Sequence, residues 1–188
     1  MSMRQVILGL GSNQNPLANF RRCLTALEAR FGEIRASTVY QSADVTQPNA
    51  DTLSDGHAAV FPGPIFHNMA VAFASDAAPA EIKAWCKAQE RVQGRLPKSA
   101  GARTHPIDID LLAVGDLCGE FADNDGQAIP LPHGDILRHA FVLGPLAELA
   151  PDARHPRTDE TYAELWQSAP ATASRRLTPI CWPSSAPL

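Results

Sequence analysis

The sequence has few cysteines, little positive charge and no long apolar run, and each shortage excludes a class of protein. Its 4 cysteines form no C-x-x-C pair and no Cys/His ligand spacing, so neither a zinc site nor a disulfide framework is predicted. A formal net charge of -4 argues against a dedicated nucleic-acid binder, which would carry a clustered basic surface. No stretch approaches the length of a membrane span, and the first residues lack the apolar core of a signal peptide. We therefore expect a reduced, cytoplasmic protein.

The apolar content is sufficient for one sizeable hydrophobic core. The chain has 188 residues, of which 45% are hydrophobic, and it contains no internal repeat or linker-like composition shift. We expect a single domain over residues 1–188, with an irregular C-terminal tail from about residue 168. The sequence indicates no oligomeric state.

The stretch 106–116 carries the strongest sign of chemistry. It alternates as a half-buried strand does, which puts Asp108 and Asp110 on one face and four apolar residues on the other: Ile107, Ile109, Leu111 and Ala113. Two carboxylates at this spacing lie roughly 6.5–7 Å apart at Cα and repel each other unless a positive group lies between them. Oxygen ligands without nearby cysteine suit Mg²⁺ or Mn²⁺, completed by water and nucleotide phosphates. A strand with one solvated face explains the same pattern.

The remaining pattern alternates strands with amphipathic helices. The turn 11–13 (Gly-Ser-Asn) follows the first strand, Asn15 can cap the first helix, and residues 42–64 form a loop of a length that is more often functional than passive. Strands are predicted at 5–10, 34–41 and 65–74, with a possible edge strand at 177–182; helices are predicted at 16–31, from Pro79 to Gly94, at 135–150 and at 160–167.

A basic loop leads directly into the acidic strand. Between residues 95 and 106 stand three cationic side chains and a histidine: Arg95, Lys98, Arg103 and His105. A polyphosphate-metal complex needs both parts, because cations neutralise phosphate oxygens while carboxylates hold the bridging metal. A solvated loop with unrelated charges is the alternative.

Asn68 is unusual because it lies in the middle of an apolar strand. A buried asparagine must find hydrogen-bond donors and acceptors. It therefore either fixes a neighbouring loop or reads the edge of a heterocycle, and the sequence leaves both roles open.

Five short segments follow one another in a fixed order along residues 4–156. They are 8–13 (LGLGSN), 66–68 (FHN), 90–95 (Glu-x3-Gly-Arg), 108–110 (DID) and 131–146 (LPH-x7-FVL-x-PL). None is specific alone, but the ordered set resembles the 6-hydroxymethyl-7,8-dihydropterin pyrophosphokinases of folate biosynthesis. The resemblance implies an α+β, ferredoxin-like fold with a mainly antiparallel sheet and helices packed on it. It also implies a transferase in which ATP donates its β,γ-pyrophosphoryl group to the pterin hydroxymethyl, leaving AMP.

The resemblance assigns roles to residues of this sequence. Asp108 and Asp110 would be the ligands of two Mg²⁺ ions. Asn68 would recognise the pterin edge, while Phe66 and Phe141 sandwich its ring and Ser42 and the backbone near Val45 complete the pocket. The predicted catalytic residues are Arg95, Arg103, His105 and Asp108, and the predicted ATP-binding residues are Glu90, Arg95, Lys98, His133, Arg138 and His139.

The basic loop departs from the family pattern. The family keeps an arginine three residues before the first metal aspartate, whereas this chain has His105 there and Arg103 five residues before Asp108. Either Arg103 reaches in from its shifted position, or His105 supplies charge when protonated, without the bidentate fork of arginine. The alternatives are a divergent paralogue acting on another pterin-like alcohol and a non-catalytic pterin- or nucleotide-binding protein.

Overall fold

A computed structural model describes residues 2–43, 65–96, 104–170 and 177–181. The strands within these ranges are β1 (Arg4–Ser12), β2 (Ile34–Ala36), β3 (Val39–Ala43), β4 (Ile65–Ser75), β5 (Asp108–Val114), β6 (Gly119–Ala122), β7 (Ala128–Leu131) and β8 (Thr178–Ile180). Six of them form one antiparallel sheet in the order β5-β1-β4-β3-β8, with β2 also paired to β4. β6 and β7 pair separately.

The helices are α1 (Pro16–Phe31), α2 (Pro79–Val92), α3 (Ala140–Leu149) and α4 (Tyr162–Ser168), with a 3₁₀ turn at Gly134–Leu137. The predicted α+β class, mainly antiparallel sheet and ferredoxin-like arrangement are confirmed. Among the described residues, no helix has the length and apolar character needed to cross a membrane.

The two faces of the sheet carry separate apolar clusters, because alternate strand residues point to opposite sides. On the first face, Val6 and Leu8 of β1 pack with Phe20 and Leu27 of α1 and with Ile82 of α2. On the second face, Ile7, Ala70 and Leu112 of the sheet pack with Leu146 of α3 and Tyr162 of α4. Helices therefore cover both faces of the sheet, and the two clusters show which face each of these strand residues points to.

A bulge between β1 and β5 corrects one predicted face. The pairing shifts between Ile7 and Leu8, so that Ile7 pairs with Ala113 and Leu8 pairs with Leu111. Leu111 packs on the first face, whereas Leu112 and Ala113 both pack on the second. The prediction that Ala113 shares a face with Leu111 is wrong, because the bulge inserts one extra residue into the alternation. Asp108 and Asp110 precede the bulge and keep their common face.

Other predictions also change in detail. The helix predicted at 135–150 is divided into the 3₁₀ turn Gly134–Leu137 and α3, because His139 has an extended backbone (φ -126°, ψ 124°). The strand predicted at 34–41 is divided into β2 and β3, because the backbone N–H of Thr38 and its hydroxyl turn to Glu148 (3.0 and 2.8 Å). The predicted capping of α1 by Asn15 is also wrong: the residue is left-handed (φ 45°) and its side chain makes no capping hydrogen bond. Pro16 begins the helix as predicted, and β8 confirms the edge strand.

Candidate active site

Three neighbouring strands bring Asn68, Asp108 and Asp110 close together on the second face of the sheet. Gly11 of β1 pairs with Asn68 of β4 on one side and with Asp108 of β5 on the other. Gly9 pairs with Asp110 in the next row on this face. Because paired strands lie about 4.8 Å apart, Asn68 and Asp108 are separated by roughly 10 Å at Cα. The glycine between them keeps this surface free of side chains.

The sequence analysis assigned no role to either glycine, yet neighbouring side chains lie close to both. A Cβ on Gly11 would lie 3.4 Å from Asn68 Oδ1 and 3.8 Å from Asp108 Cβ. A Cβ on Gly9 would lie 3.2 Å from the side chain of Leu112. The signal was present in the G-x-G-S-N pattern, but its purpose depends on pairing partners far away in the sequence.

The two aspartates differ in their electrostatic surroundings. Asp108 accepts a hydrogen bond from Arg95 Nη1; burial alone would raise its pKa, but the arginine outweighs burial and holds the pKa below its usual range. Burial and the charge of Asp108 raise the pKa of Asp110. Among the described residues the carboxylate of Asp110 has no hydrogen-bond donor, and its ion pair is with Lys83 Nζ at 3.8 Å.

This acidic pair fits the chemistry of a hard divalent cation. The available metal ligands are carboxylate oxygens. The carboxylate of Asp110 accepts no hydrogen bond from the described residues, although burial and the charge of Asp108 disfavour its ionised form. In the described part of the chain, no group of three or more His, Cys, Asp or Glu side chains could hold a metal ion. Mg²⁺ commonly uses one or two carboxylates together with substrate phosphates and water, so Asp108 and Asp110 would hold it with the nucleotide.

Glu90 lies behind the acidic strand and is buried, with 3% of its surface exposed. Its Oε1 accepts hydrogen bonds from the backbone N–H of Ile109 (2.9 Å) and from Arg95 (3.3 Å), and its Oε2 accepts one from Lys87 (3.0 Å). Burial raises its pKa despite these partners. The predicted ATP-binding residue therefore joins α2 to the edge of β5 and positions Arg95, rather than lining the cavity.

Asn68 is held in one orientation by Ser42. Its Nδ2 donates to Ser42 Oγ at 2.9 Å, and both side chains are buried. The amide oxygen of Asn68 lies on the side of Gly11. Both roles considered for this asparagine are therefore compatible: its nitrogen fixes β3 to β4, and its oxygen accepts no hydrogen bond from the described residues.

Each predicted stacking ring contacts an imidazole. The rings of Phe66 and His105 are 5.8 Å apart and tilted by 39°, and those of Phe141 and His139 are 4.9 Å apart and stacked at 18°. His105 thus lies beside Phe66 and lines the same cavity.

The mouth of the site contains a carboxylate that the sequence reasoning missed. Asp135 lines the same cavity, and its oxygens lie 3.8 Å from His133 Nδ1, 3.9 Å from Arg138 Nη1 and 3.8 Å from His139 Nε2. His133 also lines the cavity, whereas the side chain of Arg138 is 73% exposed at its edge. Three of the predicted ATP-binding residues therefore surround one acidic group.

Residues 11–13 anchor the end of the basic loop, although the turn predicted there is wrong for Gly11 and Ser12, which extend β1 by pairing with Asn68 and His67. Ser12 is fully buried and donates to the carbonyl of Pro106 at 2.7 Å. Asn13 Oδ1 accepts from the backbone N–H of His105 at 2.6 Å, and Asn19 Nδ2 donates to the carbonyl of Pro106 at 2.7 Å. These contacts therefore fix the backbone immediately before Asp108.

These groups surround one cavity of about 330 Å³. Nine of the predicted site residues line it: Ser42, Phe66, Asn68, Arg95, His105, Asp108, Asp110, His133 and Phe141. Glu90, Arg138 and His139 are not among the residues that line it. Val45, Lys98 and Arg103 lie outside the described residues.

Comparisons with known proteins agree with the geometry. Residues 7–151 match the model of the 7,8-dihydro-6-hydroxymethylpterin-pyrophosphokinase family. Two proteins, each described as a 2-amino-4-hydroxy-6-hydroxymethyldihydropteridine pyrophosphokinase, are similar over most of their length. The Synechocystis protein is 30% identical, covering 89% of this chain and 77% of its own. The Methylorubrum extorquens protein is 36% identical, covering 80% and 85%.

A solved structure shows the same fold in a longer protein. The crystal structure of Plasmodium falciparum HPPK-DHPS with pteroate superposes with a TM-score of 0.67 at 13% identity, covering 88% of this chain. This chain spans 42% of the Plasmodium chain. At that identity the likeness concerns the fold alone.

Proposed function

The chain belongs to the 7,8-dihydro-6-hydroxymethylpterin-pyrophosphokinase family, and from this premise we propose how its cavity performs the family reaction. That reaction is ATP-dependent pyrophosphoryl transfer to the hydroxymethyl group of 6-hydroxymethyl-7,8-dihydropterin, a diphosphokinase step of folate biosynthesis. The observation that carries the proposal is the cross-strand row Asn68-Gly11-Asp108. It places Asn68, which would recognise the heterocycle, on one side of Gly11, and Asp108, which would bind the metal and the phosphates, on the other.

The pterin occupies the side of the cavity formed by Asn68, Ser42, Phe66 and Phe141. Asn68 Oδ1 accepts a hydrogen bond from the edge of the heterocycle, since its Nδ2 is already committed to Ser42. The two phenylalanines contact the faces of the flat ring, an arrangement that offset aromatic stacking favours. The hydroxymethyl group then points toward Asp108.

The triphosphate of ATP occupies the side formed by Asp108, Asp110 and the basic residues. Mg²⁺ held by the two aspartates would neutralise phosphate charge and align the β-phosphate with the attacking oxygen. Arg95 and His133 line this cavity and stabilise the negative charge of the phosphates. His105, anchored by Asn13, supplies a donor where the family has arginine, and Arg103 is the second candidate for that charge.

The chemistry requires little more than alignment and charge neutralisation. The hydroxymethyl oxygen forms a bond to the β-phosphorus of ATP while the bond from that phosphorus to the α-β bridging oxygen breaks. AMP leaves with the electron pair, and the hydroxyl proton passes to solvent. The buried amide and the acidic pair therefore have separable roles: the first in recognition and the second in transfer.

Two variants, each measured in a binding assay and in a turnover assay, test this division of roles. Asp110→Asn should reduce turnover by at least about a hundredfold, the scale for losing one electrostatic contact to the transition state, and should leave pterin binding without nucleotide unchanged. Asn68→Ala should weaken pterin binding by roughly 1–3 kcal/mol, the cost of an unpaired buried polar group. Pterin fluorescence gives the affinity, and AMP release gives the turnover. If Asp110→Asn weakened pterin binding as much as Asn68→Ala does, the proposed division would be wrong.

A further inference from the structure

Each carboxylate of the acidic pair already has a basic partner from the same helical segment. Arg95, just after α2, donates to Asp108, and Lys83, in the first half of α2, lies with its Nζ 3.8 Å from Asp110 Oδ1. The sequence reasoning gave Lys83 no role. Its side chain is only 21% exposed, so it is held near the acidic pair rather than extended into solvent.

The pairing follows from the way α2 covers the free edge of β5. Glu90 accepts the backbone N–H of Ile109, and Arg95 donates to the carbonyl of Ile107 at 3.2 Å. These contacts align the helical segment along the strand, with Lys83 and Arg95 at opposite ends. Lys87, one turn after Lys83, donates to Glu90 instead and therefore serves as a matched control.

The two basic side chains have opposite effects before and during substrate binding. Without ligands they offset the repulsion between two neighbouring carboxylates. The same positive charges oppose the entry of a cation, and Arg95 occupies an oxygen of Asp108 that a metal would need. The phosphates of a nucleotide offer Arg95 a replacement partner, because guanidinium binds phosphate as readily as it binds carboxylate.

We propose that Lys83 and Arg95 are resident counter-ions of the acidic pair, one for each carboxylate, so that metal and nucleotide enter the site together. The inference rests on the proposed role of Asp108 and Asp110 as metal ligands. Lys83 is accordingly a positioning residue: it sets the charge balance at Asp110 without contacting the reacting atoms. Metal alone binds weakly, and nucleotide binding releases Asp108 for it.

Mn²⁺ binding, measured by electron paramagnetic resonance without turnover, tests the proposal. Wild-type protein should bind Mn²⁺ at least about tenfold more tightly with a non-hydrolysable ATP analogue than without it, a free-energy coupling of about 1.4 kcal/mol. Lys83→Met should tighten Mn²⁺ binding without nucleotide by about three- to tenfold, as removal of a nearby like charge at high effective dielectric does. Lys83→Arg keeps the charge and should restore the wild-type affinity.

The variant Lys87→Met should change Mn²⁺ affinity less than Lys83→Met does, because the ammonium group of Lys87 pairs with Glu90 in the wild-type protein. The counter-ion inference is overturned if Lys83→Met binds Mn²⁺ alone no more tightly than wild type while the nucleotide complex binds it normally. If wild-type protein binds no Mn²⁺ even with the nucleotide analogue, the proposed metal site fails, and the inference fails with it. The measurement with the nucleotide analogue thus distinguishes failure of the counter-ion inference from failure of the proposed metal site.

Discussion

Replacing Glu90 separates a direct nucleotide contact from a structural role. Its side chain is 4% exposed, and its partner Arg95 is 11% exposed, so the pair is largely shielded from water. Removing one member of a buried pair leaves the other uncompensated and typically costs about 3–5 kcal/mol. Glu90→Ala also leaves the backbone N–H of Ile109 without its acceptor. We therefore expect Glu90→Ala to lower the free energy of unfolding by about 3–5 kcal/mol.

The variant Glu90→Gln is the matched comparison. It keeps an oxygen that can accept from the Ile109 N–H but loses the charge that pairs with Arg95, so we expect a loss of about 1.5–3 kcal/mol, the usual range for a hydrogen bond to a charged group. Lys87 adds little to either value, because its side chain is 44% exposed and exposed pairs contribute little. Urea unfolding followed by circular dichroism gives both free energies.

Nucleotide affinity decides between the two roles of Glu90. If the residue acts through packing and through Arg95, Glu90→Gln should lose stability and at most about tenfold in ATP affinity. An unchanged free energy of unfolding together with a hundredfold loss of ATP affinity would refute the reasoning. That outcome would return Glu90 to the direct ATP contact that the sequence suggested.

Three further predictions concern the basic loop and the thiols. Arg103→Ala should cost about 2–4 kcal/mol in the transition state if Arg103 serves the phosphates. His105→Ala should lower turnover if the imidazole is the donor to the phosphates instead; steady-state rates test both, and a silent Arg103→Ala would leave His105 as the operative donor. Burial raises the pKa of Cys23 to about 12, so this thiol should not react with a disulfide reagent at pH 8 until the protein unfolds, while the exposed Cys118 reacts at once; rapid native labelling of Cys23 would contradict its burial.

The local sequence pattern was sufficient to predict those helices and strands whose tertiary contacts do not change their local conformation. The acidic face of β5 and the limits of α2 follow from alternation, helical spacing and the positions of Pro79 and Gly94. These signals are local, so they survive folding unchanged. The division of residues 34–41 was not predictable in this way, because it depends on Glu148, which is more than a hundred residues away.

The candidate site shows the same limit. Asp108 and Asp110 could be identified from the alternation of their strand, and Asn68 could be identified because a polar residue in the middle of an apolar strand is unusual. Gly11 and Lys83 could not, since the first matters through its two pairing partners and the second through an ion pair between helix and strand. The family resemblance also suggested that Glu90 contacts ATP, whereas its burial and its backbone partner are properties of the folded chain.

The identity of the products tests the central claim most directly. Purified protein is incubated with Mg-ATP and 6-hydroxymethyl-7,8-dihydropterin, and the nucleotides are separated by ion-exchange chromatography. The account predicts AMP and pterin diphosphate in equal amounts, with no AMP when the pterin is omitted. Formation of ADP instead of AMP, or no pterin-dependent AMP at any pH from 6 to 9, would contradict it.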